Sequence, residues 1–187
     1  NIEQKLDTGT SNTVRLIARV SPGKRVRIKD IVFHGNENLS DKRLRRTMKD
    51  TKRKRWWNVF GSSKYQAQGF KDDKARVIAL YNEKGYRNAA IVRDSLSYVN
   101  DRRIRLDLFI EEDRRFHFRN VTFTGNTKYS TDTLAGILRI KRGDVYNKKL
   151  LDSRLFMSQT GVDISSLYMD HGYLSFYPEA VERVEGD

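Results

Sequence analysis

Residues whose chemistry could support catalysis or metal binding are few and scattered in this 187-residue chain. It has no cysteine, which excludes disulfides, thiolate metal sites and cysteine nucleophiles. The three histidines, His34, His117 and His171, do not stand at the spacing of metal ligands. The carboxylate pairs Asp72-Asp73 and Glu111-Glu112 are expected to be solvated charges or helix N-terminal residues, since they lie at the ends of predicted elements. We therefore predict no catalytic, metal or cofactor site and no enzyme activity.

The chain offers a basic surface instead. Its formal net charge is +13, and one run joins four cations to an adjacent pair of indoles: Lys52, Arg53, Lys54, Arg55, Trp56 and Trp57. Such a run suits an anionic lipid surface, an acidic protein or stacked bases. Alternatively, the rings cover the protein's own helices while the cations stay in solvent. We predict a partner or lipid surface here, with an acidic protein or lipid head groups favoured.

The elements that would position these residues are duplicated. Ile31-Val-Phe-His-Gly-Asn36 returns as Val121-Thr-Phe-Thr-Gly-Asn126, which is 126 − 36 = 90 residues later. Leu80-Tyr81…Gly85-Tyr86 returns as Leu167-Tyr168…Gly172-Tyr173, 173 − 86 = 87 residues later. Two markers in the same order indicate a duplicated module. Their glycines and neighbours are predicted to be structural, as sharp exits from strands and helix ends: Gly35, Asn36, Gly85, Tyr86, Gly125, Asn126, Gly172 and Tyr173.

The first module, residues 26–112, is predicted to run strand, helix, helix, strand, strand. Its first helix follows Ser40, and residues 52–69 form a loop. A second helix begins near Lys71 and places Val77, Leu80 and Tyr81 on one core-facing side. Two strands follow at 89–99 and 104–110, the latter alternating between apolar and polar residues. The predicted fold class is α+β, a three-stranded sheet with two helices on one face in each module.

The second module, residues 113–187, is predicted to be a truncated copy without its last strand. A strand ends at Gly125, helices follow from about residue 130 to Gly172 with an interruption at Gly161, and residues 174–184 form a strand. At the other end, residues 1–11 are expected to lack regular structure. Residues 13–20 alternate like the closing strand of a preceding module within residues 1–25, and an unpaired strand could pair with a neighbouring molecule.

This order of motifs resembles the polypeptide-transport-associated (POTRA) domain, found in the periplasmic arm of outer-membrane assembly factors of the BamA type. The resemblance implies the periplasmic portion of an outer-membrane protein that binds unfolded outer-membrane proteins by strand addition and docks accessory lipoproteins. An exposed sheet edge would suit this role, because backbone pairing tolerates many client sequences. The edge strand expected to take the client contains Ala90, Val92, Asp94, Leu96 and Tyr98.

Two other functions stay open at this point. A related two-partner secretion transporter arm would differ only in its clients. A nucleic-acid-binding tandem module is suggested by a pI near 10.0 and by the basic and aromatic run. The predicted sheet lacks the aromatic pattern of an RNA-recognition module, and only one copy carries the basic cluster. These two features make nucleic-acid binding the less favoured alternative.

Overall fold

The computed structural model describes residues 2–6, 14–18, 26–52, 64–156 and 158–185. Strands and helices follow one another along these residues in this order: β1 Ile2–Leu6, β2 Val14–Ala18, β3 Arg27–His34, α1 Asp41–Thr47, α2 Ala67–Glu83, β4 Ala90–Asn100, β5 Arg103–Glu111, α3 Thr131–Leu138, α4 Lys148–Leu155 and α5 Ile164–Met169.

The first strands correct two expectations. Residues 1–11 were expected to be irregular, but β1 pairs with β2 as an antiparallel hairpin, from Ile2 opposite Ala18 to Leu6 opposite Val14. Strand β2, within the predicted 13–20, thus has a partner in its own chain, and the expectation that it is unpaired is wrong. Pairing with a neighbouring molecule stays a prediction. Only β2 showed clear alternation in the sequence, so its hairpin partner went undetected.

The first module has the predicted two-layer α+β architecture. Its sheet has the order β3-β5-β4, with β5 central, parallel to β3 and antiparallel to β4. Every second residue of β5 is buried, from Ile104 to Ile110. These side chains meet Leu44 of α1 and Val77 of α2 in one apolar cluster, so both helices cover the same face.

The helix predictions hold with two corrections. Helix α2 begins at Ala67, four residues before the predicted start. Val77 and Tyr81 are fully buried, but Leu80 is only half-buried at the margin of the core, so its placement in the core was wrong. Val77 and Leu80 both fit the apolar periodicity of one helix face. Which of the two lies at the centre of the core depends on how α2 packs against the sheet.

The second module contains its three predicted helical segments, α3, α4 and α5, but neither of its predicted strands. The described residues 118–124 and 176–185 adopt no regular secondary structure. In the first module, β5 supplies the hydrogen bonds of both its neighbours. Among the described residues of the second module, no strand takes the place of β5, so the two outer segments have no ladder to join.

The duplicated motifs adopt the same geometry in both modules. Gly35 and Gly125 have φ of 79° and 75°. The side-chain nitrogen of Asn36 donates to the carbonyl of Leu39 at 2.9 Å, and that of Asn126 donates to the carbonyl of Tyr129 at 3.1 Å. These bonds hold the chain in the turn that leads into α1 and α3.

The Gly-Tyr pairs both end a helix. Gly85 and Gly172 have φ of 93° and 88°. The backbone N–H of Tyr86 donates to the carbonyl of Tyr81 at 3.0 Å, and that of Tyr173 donates to the carbonyl of Tyr168 at 3.1 Å. A hydrogen bond from the N–H of residue i+5 to the carbonyl of residue i, with a left-handed glycine at i+4, is typical of the Schellman motif that ends many helices.

Contacts around Gly85 join the two modules. The backbone N–H of Phe116 donates to the Gly85 carbonyl at 2.8 Å. Glu182 accepts from Arg87 Nε at 3.1 Å and from the Tyr146 hydroxyl at 3.0 Å. Burial, followed by the charge of Glu182, raises the pKa of Tyr146 to about 12. The turn that follows α2 thus contacts two separate segments of the second module.

Candidate interaction edge

Strand β4 forms the open edge of the first-module sheet. Among the described residues, it pairs with β5 on one side and with no strand on the other. It is 11 residues long and exposed at every position except Ile91. Apolar side chains contribute to this exposure, with Val92 53%, Leu96 40% and Tyr98 69% accessible. A long edge strand with unpaired backbone groups and exposed apolar side chains is suited to pairing with another extended chain.

The opposite edge, along β3, is closed by side-chain and backbone contacts. Arg45 of α1 donates to the carbonyl of Ile31 from Nε at 3.2 Å and from Nη2 at 3.0 Å. At the start of the strand, the N–H of Tyr65 donates to the carbonyl of Val26 at 3.3 Å. These two acceptors are therefore occupied, whereas β4 has no strand on its outer side among the described residues.

The register places the predicted edge residues on both faces of the sheet. Asp94, Leu96 and Tyr98 lie opposite Leu108, Leu106 and Ile104, the buried residues of β5, and so stand on the helix side. Ala90 lies opposite exposed Glu111 on the other side, because the register shifts between Ile91 and Arg93, around Val92. A bulge of this kind depends on the partner strand and leaves no mark in a period-two pattern.

An ion pair and a ledge of apolar side chains characterise the helix side of β4. Lys74 Nζ of α2 lies 2.7 Å from Asp94 Oδ1. Beyond this pair, Leu96 and Tyr98 project from the helix-facing side of the sheet but remain exposed. An added strand would extend the sheet and could pack alternate side chains on this ledge.

The solvent side carries an aromatic and charged cluster that sequence reasoning missed. The rings of His34 and Phe109 stack with centroids 4.5 Å apart, and the Arg93 guanidinium lies 3.9 Å from the Phe109 centroid. Asp107 Oδ1 lies 2.9 Å from His34 Nε2 and 2.8 Å from Arg105 Nη2. Burial alone raises the pKa of Asp107, but the hydrogen bonds from His34 and Arg105 outweigh it, so the pKa is lowered. The cluster crosses all three strands.

The acidic pairs are not simply solvated, which corrects the sequence-based expectation. Asp73 is fully buried and accepts from the backbone N–H groups of residues 49–51 and from Arg76. Glu112 is 7% exposed and accepts from the Tyr81 hydroxyl at 2.7 Å and from the Asn38 side chain at 2.6 Å. Burial and the bond to Glu112 raise the pKa of Tyr81. Both carboxylates fix loops to α2, which only the tertiary fold could reveal.

The histidines have local partners. Besides His34, His171 Nδ1 lies 2.9 Å from the carbonyl oxygen of Leu167, and His117 forms an isolated bridge with Val145. The described residues bring together no group of three or more histidine or carboxylate side chains that could hold a metal ion. In the same residues, no helix combines the length and apolar character needed to cross a membrane.

The basic run is only partly within the described residues. Lys52 is exposed. Arg53, Lys54, Arg55, Trp56 and Trp57 lie outside the described residues, so their predicted role stays a prediction.

Comparisons with known proteins agree with the architecture. The family model described as "POTRA: Surface antigen variable number repeat" matches residues 26–113 and 116–185. The outer membrane protein assembly factor BamA of Neisseria meningitidis serogroup B is 26% identical over 156 residues, which cover 82% of this chain and 20% of that protein. This chain thus spans about a fifth of the length of that relative.

A solved structure is also similar. The crystal structure of Haemophilus influenzae BamA POTRA3-5 has 17% sequence identity and a TM-score of 0.49, covering 81% of this chain and 56% of that one. The two matches to the family model, one on each copy of the repeat, decide the assignment. This chain belongs to the POTRA family and carries two tandem POTRA modules that resemble the POTRA region of BamA.

Proposed function

We propose that the chain is a non-enzymatic periplasmic arm of an outer-membrane protein assembly factor, and that it binds unfolded outer-membrane proteins by strand addition to β4. The observation that carries the proposal is the asymmetry of the two sheet edges. Arg45 occupies the Ile31 carbonyl on the β3 edge, whereas β4 has no strand partner on its outer side among the described residues. An extended client would satisfy both its own backbone groups and those of β4.

Strand addition suits a protein that must accept many different clients. The hydrogen bonds involve only the backbone and therefore depend little on client sequence. The ledge formed by Leu96 and Tyr98 would add a preference for apolar residues at alternate positions. Net gains of about 0.5–1.5 kcal/mol per hydrogen bond keep such binding weak enough for release. Docking of accessory lipoproteins is a companion proposal that rests on family membership alone.

Cysteine crosslinking tests the proposal. The natural chain has no cysteine, so Ser95→Cys and Ser97→Cys each place one thiol on β4. Lys29→Cys places an exposed thiol on β3, beside the closed edge, as the matched control. Each variant is oxidised with a set of extended outer-membrane-protein peptides that carry a single cysteine at successive positions.

Strand addition predicts a register. Ser95→Cys and Ser97→Cys should each crosslink best at one peptide position, and the two optimal positions should differ by two residues, since strand side chains alternate. The direction of this displacement reports whether the client is parallel or antiparallel to β4. Equal crosslinking at Lys29→Cys, or crosslinking with no preferred peptide position, would contradict strand addition at this edge.

A further inference from the structure

Helix α1 and the turn after it carry an outward-facing set of cations. This set, the basic face, consists of the exposed residues Lys42, Arg43, Arg46, Lys49 and Lys52. None of these five side chains forms an ion pair or a hydrogen bond within the described part of the chain. On α1, Arg46 follows Arg43 by three residues and Lys42 by four, so the three cations are neighbours on one side of the helix. Like charges at these spacings destabilise a helix by about 0.2–0.5 kcal/mol per pair.

The acidic residues of the same segment do not neutralise the basic face. Asp41 pairs with Arg45 at 2.8 Å, and Arg45 points inward to the backbone of β3. Asp50 pairs with Arg76 of α2 at 2.8 Å. Both carboxylates are thus engaged by arginines outside the basic face, which leaves its positive charge uncompensated.

The duplicated module shows that the fold does not require these cations. At the 90-residue offset, the three positions on α1 correspond to Asp132, Thr133 and Gly136 on α3. Helix α3 nonetheless occupies the equivalent place after its own Gly-Asn turn and buries Leu134 as α1 buries Leu44. A folding role therefore does not explain why the first copy keeps mutually repelling charges on this side.

We propose that the basic face binds the anionic head groups of a phospholipid bilayer. The five cations are all exposed and line neither the cavity beside Leu138 nor the cavity beside Asn38, and we treat them as an open array rather than a pocket for a small ligand. An open array of long, flexible cations fits a fluid anionic surface. The sequence continues from Lys52 through three more cations to Trp56-Trp57, and tryptophan is enriched at membrane interfaces. This inference is independent of client binding at β4.

Vesicle binding of the whole chain tests the proposal. Co-sedimentation is measured with phosphatidylcholine vesicles that do or do not contain phosphatidylglycerol. Trp56 and Trp57 are the chain's two tryptophans, so intrinsic emission reports on the residues that follow the basic face. We expect binding only to the anionic vesicles, with a shift of tryptophan emission to shorter wavelength. Each basic residue near an anionic surface contributes about fivefold in affinity. The variant Lys42→Gln/Arg43→Gln/Arg46→Gln should therefore bind roughly 100-fold more weakly.

A charge-matched variant separates a specific surface from overall charge. Lys128→Gln/Lys141→Gln/Arg142→Gln removes three exposed cations from the second module, and both triple variants have a net charge of 13 − 3 = +10. We expect this control to keep most of the binding. If the α1 variant fails to fold, Lys49→Gln/Lys52→Gln leaves the helix intact and should still weaken binding by about 25-fold.

Several results would overturn the proposal. Absence of wild-type binding to anionic vesicles, or retention of full binding by the α1 and turn variants, would exclude a lipid-binding basic face. Equal losses in the α1 variant and the second-module variant would show attraction by net charge alone. Stronger binding to duplex DNA or polyglutamate than to vesicles, without an emission shift, would assign the surface to a macromolecular polyanion.

Discussion

Substitution of Gly85 by alanine tests whether the two modules are held in a fixed contact. A Cβ at this position would lie 2.7 Å from Val145 Cγ1, 3.0 Å from Arg115 Cγ and 3.1 Å from the Phe116 carbonyl oxygen. These three residues follow the first module in sequence, so the clash falls on the joint between modules. The duplicated Gly172 has a similar φ of 88°, but its Cβ would meet nothing within 4 Å. The repeat therefore supplies a matched control.

The expected costs follow from this difference. Both substitutions place a side chain in the left-handed region, which costs about 1–2 kcal/mol. Gly172→Ala should cost no more than this. Gly85→Ala must also displace Val145 or the segment after it, and overpacking of this kind costs about 1–3 kcal/mol. We thus expect Gly85→Ala to be the more destabilising of the two by about 1–3 kcal/mol.

Urea unfolding followed by circular dichroism measures the two free energies, and a double-mutant cycle locates the clash. Val145→Ala removes the methyl group nearest to the new Cβ, so Gly85→Ala/Val145→Ala should recover most of the extra loss. Equal destabilisation by Gly85→Ala and Gly172→Ala, or no coupling between positions 85 and 145, would refute a packed joint at Gly85.

Three further predictions concern the core and two titrating groups. Val77 is fully buried, so Val77→Ala should lower the unfolding free energy by about 2 kcal/mol. Leu80 is half-buried, so Leu80→Ala should lower it by less. A larger loss for Leu80→Ala than for Val77→Ala in urea unfolding would contradict the assigned helix face. Asp107→Asn should cost roughly 1–3 kcal/mol at neutral pH. Because the folded pKa of Asp107 is lowered, this difference should disappear as acid protonates the wild-type carboxylate below about pH 4; a difference that is constant with pH would count against the bonded carboxylate. The pKa of Tyr146 is raised to about 12, so its contribution to the unfolding free energy is complete below about pH 10 and is lost as the pH rises through 12. The difference in stability between the wild type and Tyr146→Phe should therefore disappear at high pH. An ordinary tyrosine pKa in an ultraviolet titration would contradict burial of this hydroxyl beside Glu182.

Local features of the fold were predictable from the sequence because they depend on a few adjacent residues. A glycine that ends a helix, or an asparagine that bonds to the next turn, acts within about five positions. The duplication strengthened these predictions, since Asn36 and Asn126 make the same bond to the carbonyl three residues later. The alternating strand at 104–110 was equally clear because it is buried on one face and forms β5.

Features that depend on distant partners were not predictable in the same way. The two expected strands of the second module have suitable patterns, but a strand exists only where another strand bonds to it. Asp73 and Glu112 resemble other charges at element ends, and their burial arises from loops that fold back on them. The closure of the β3 edge depends on Arg45, which in sequence is one of several cations on α1. An inward cation in a basic run has no sequence signal of its own.

Hydrogen exchange of individual backbone amides, measured with and without an extended outer-membrane-protein peptide, tests strand addition to β4 most directly. In an edge strand, alternate N–H groups point away from the sheet and stay exposed until a partner pairs with them. The proposed function predicts new protection at every second residue within Ala90–Asn100, with no comparable change along Arg27–His34. Protection confined to the helices, or peptide binding that leaves the amides of β4 unchanged, would contradict it.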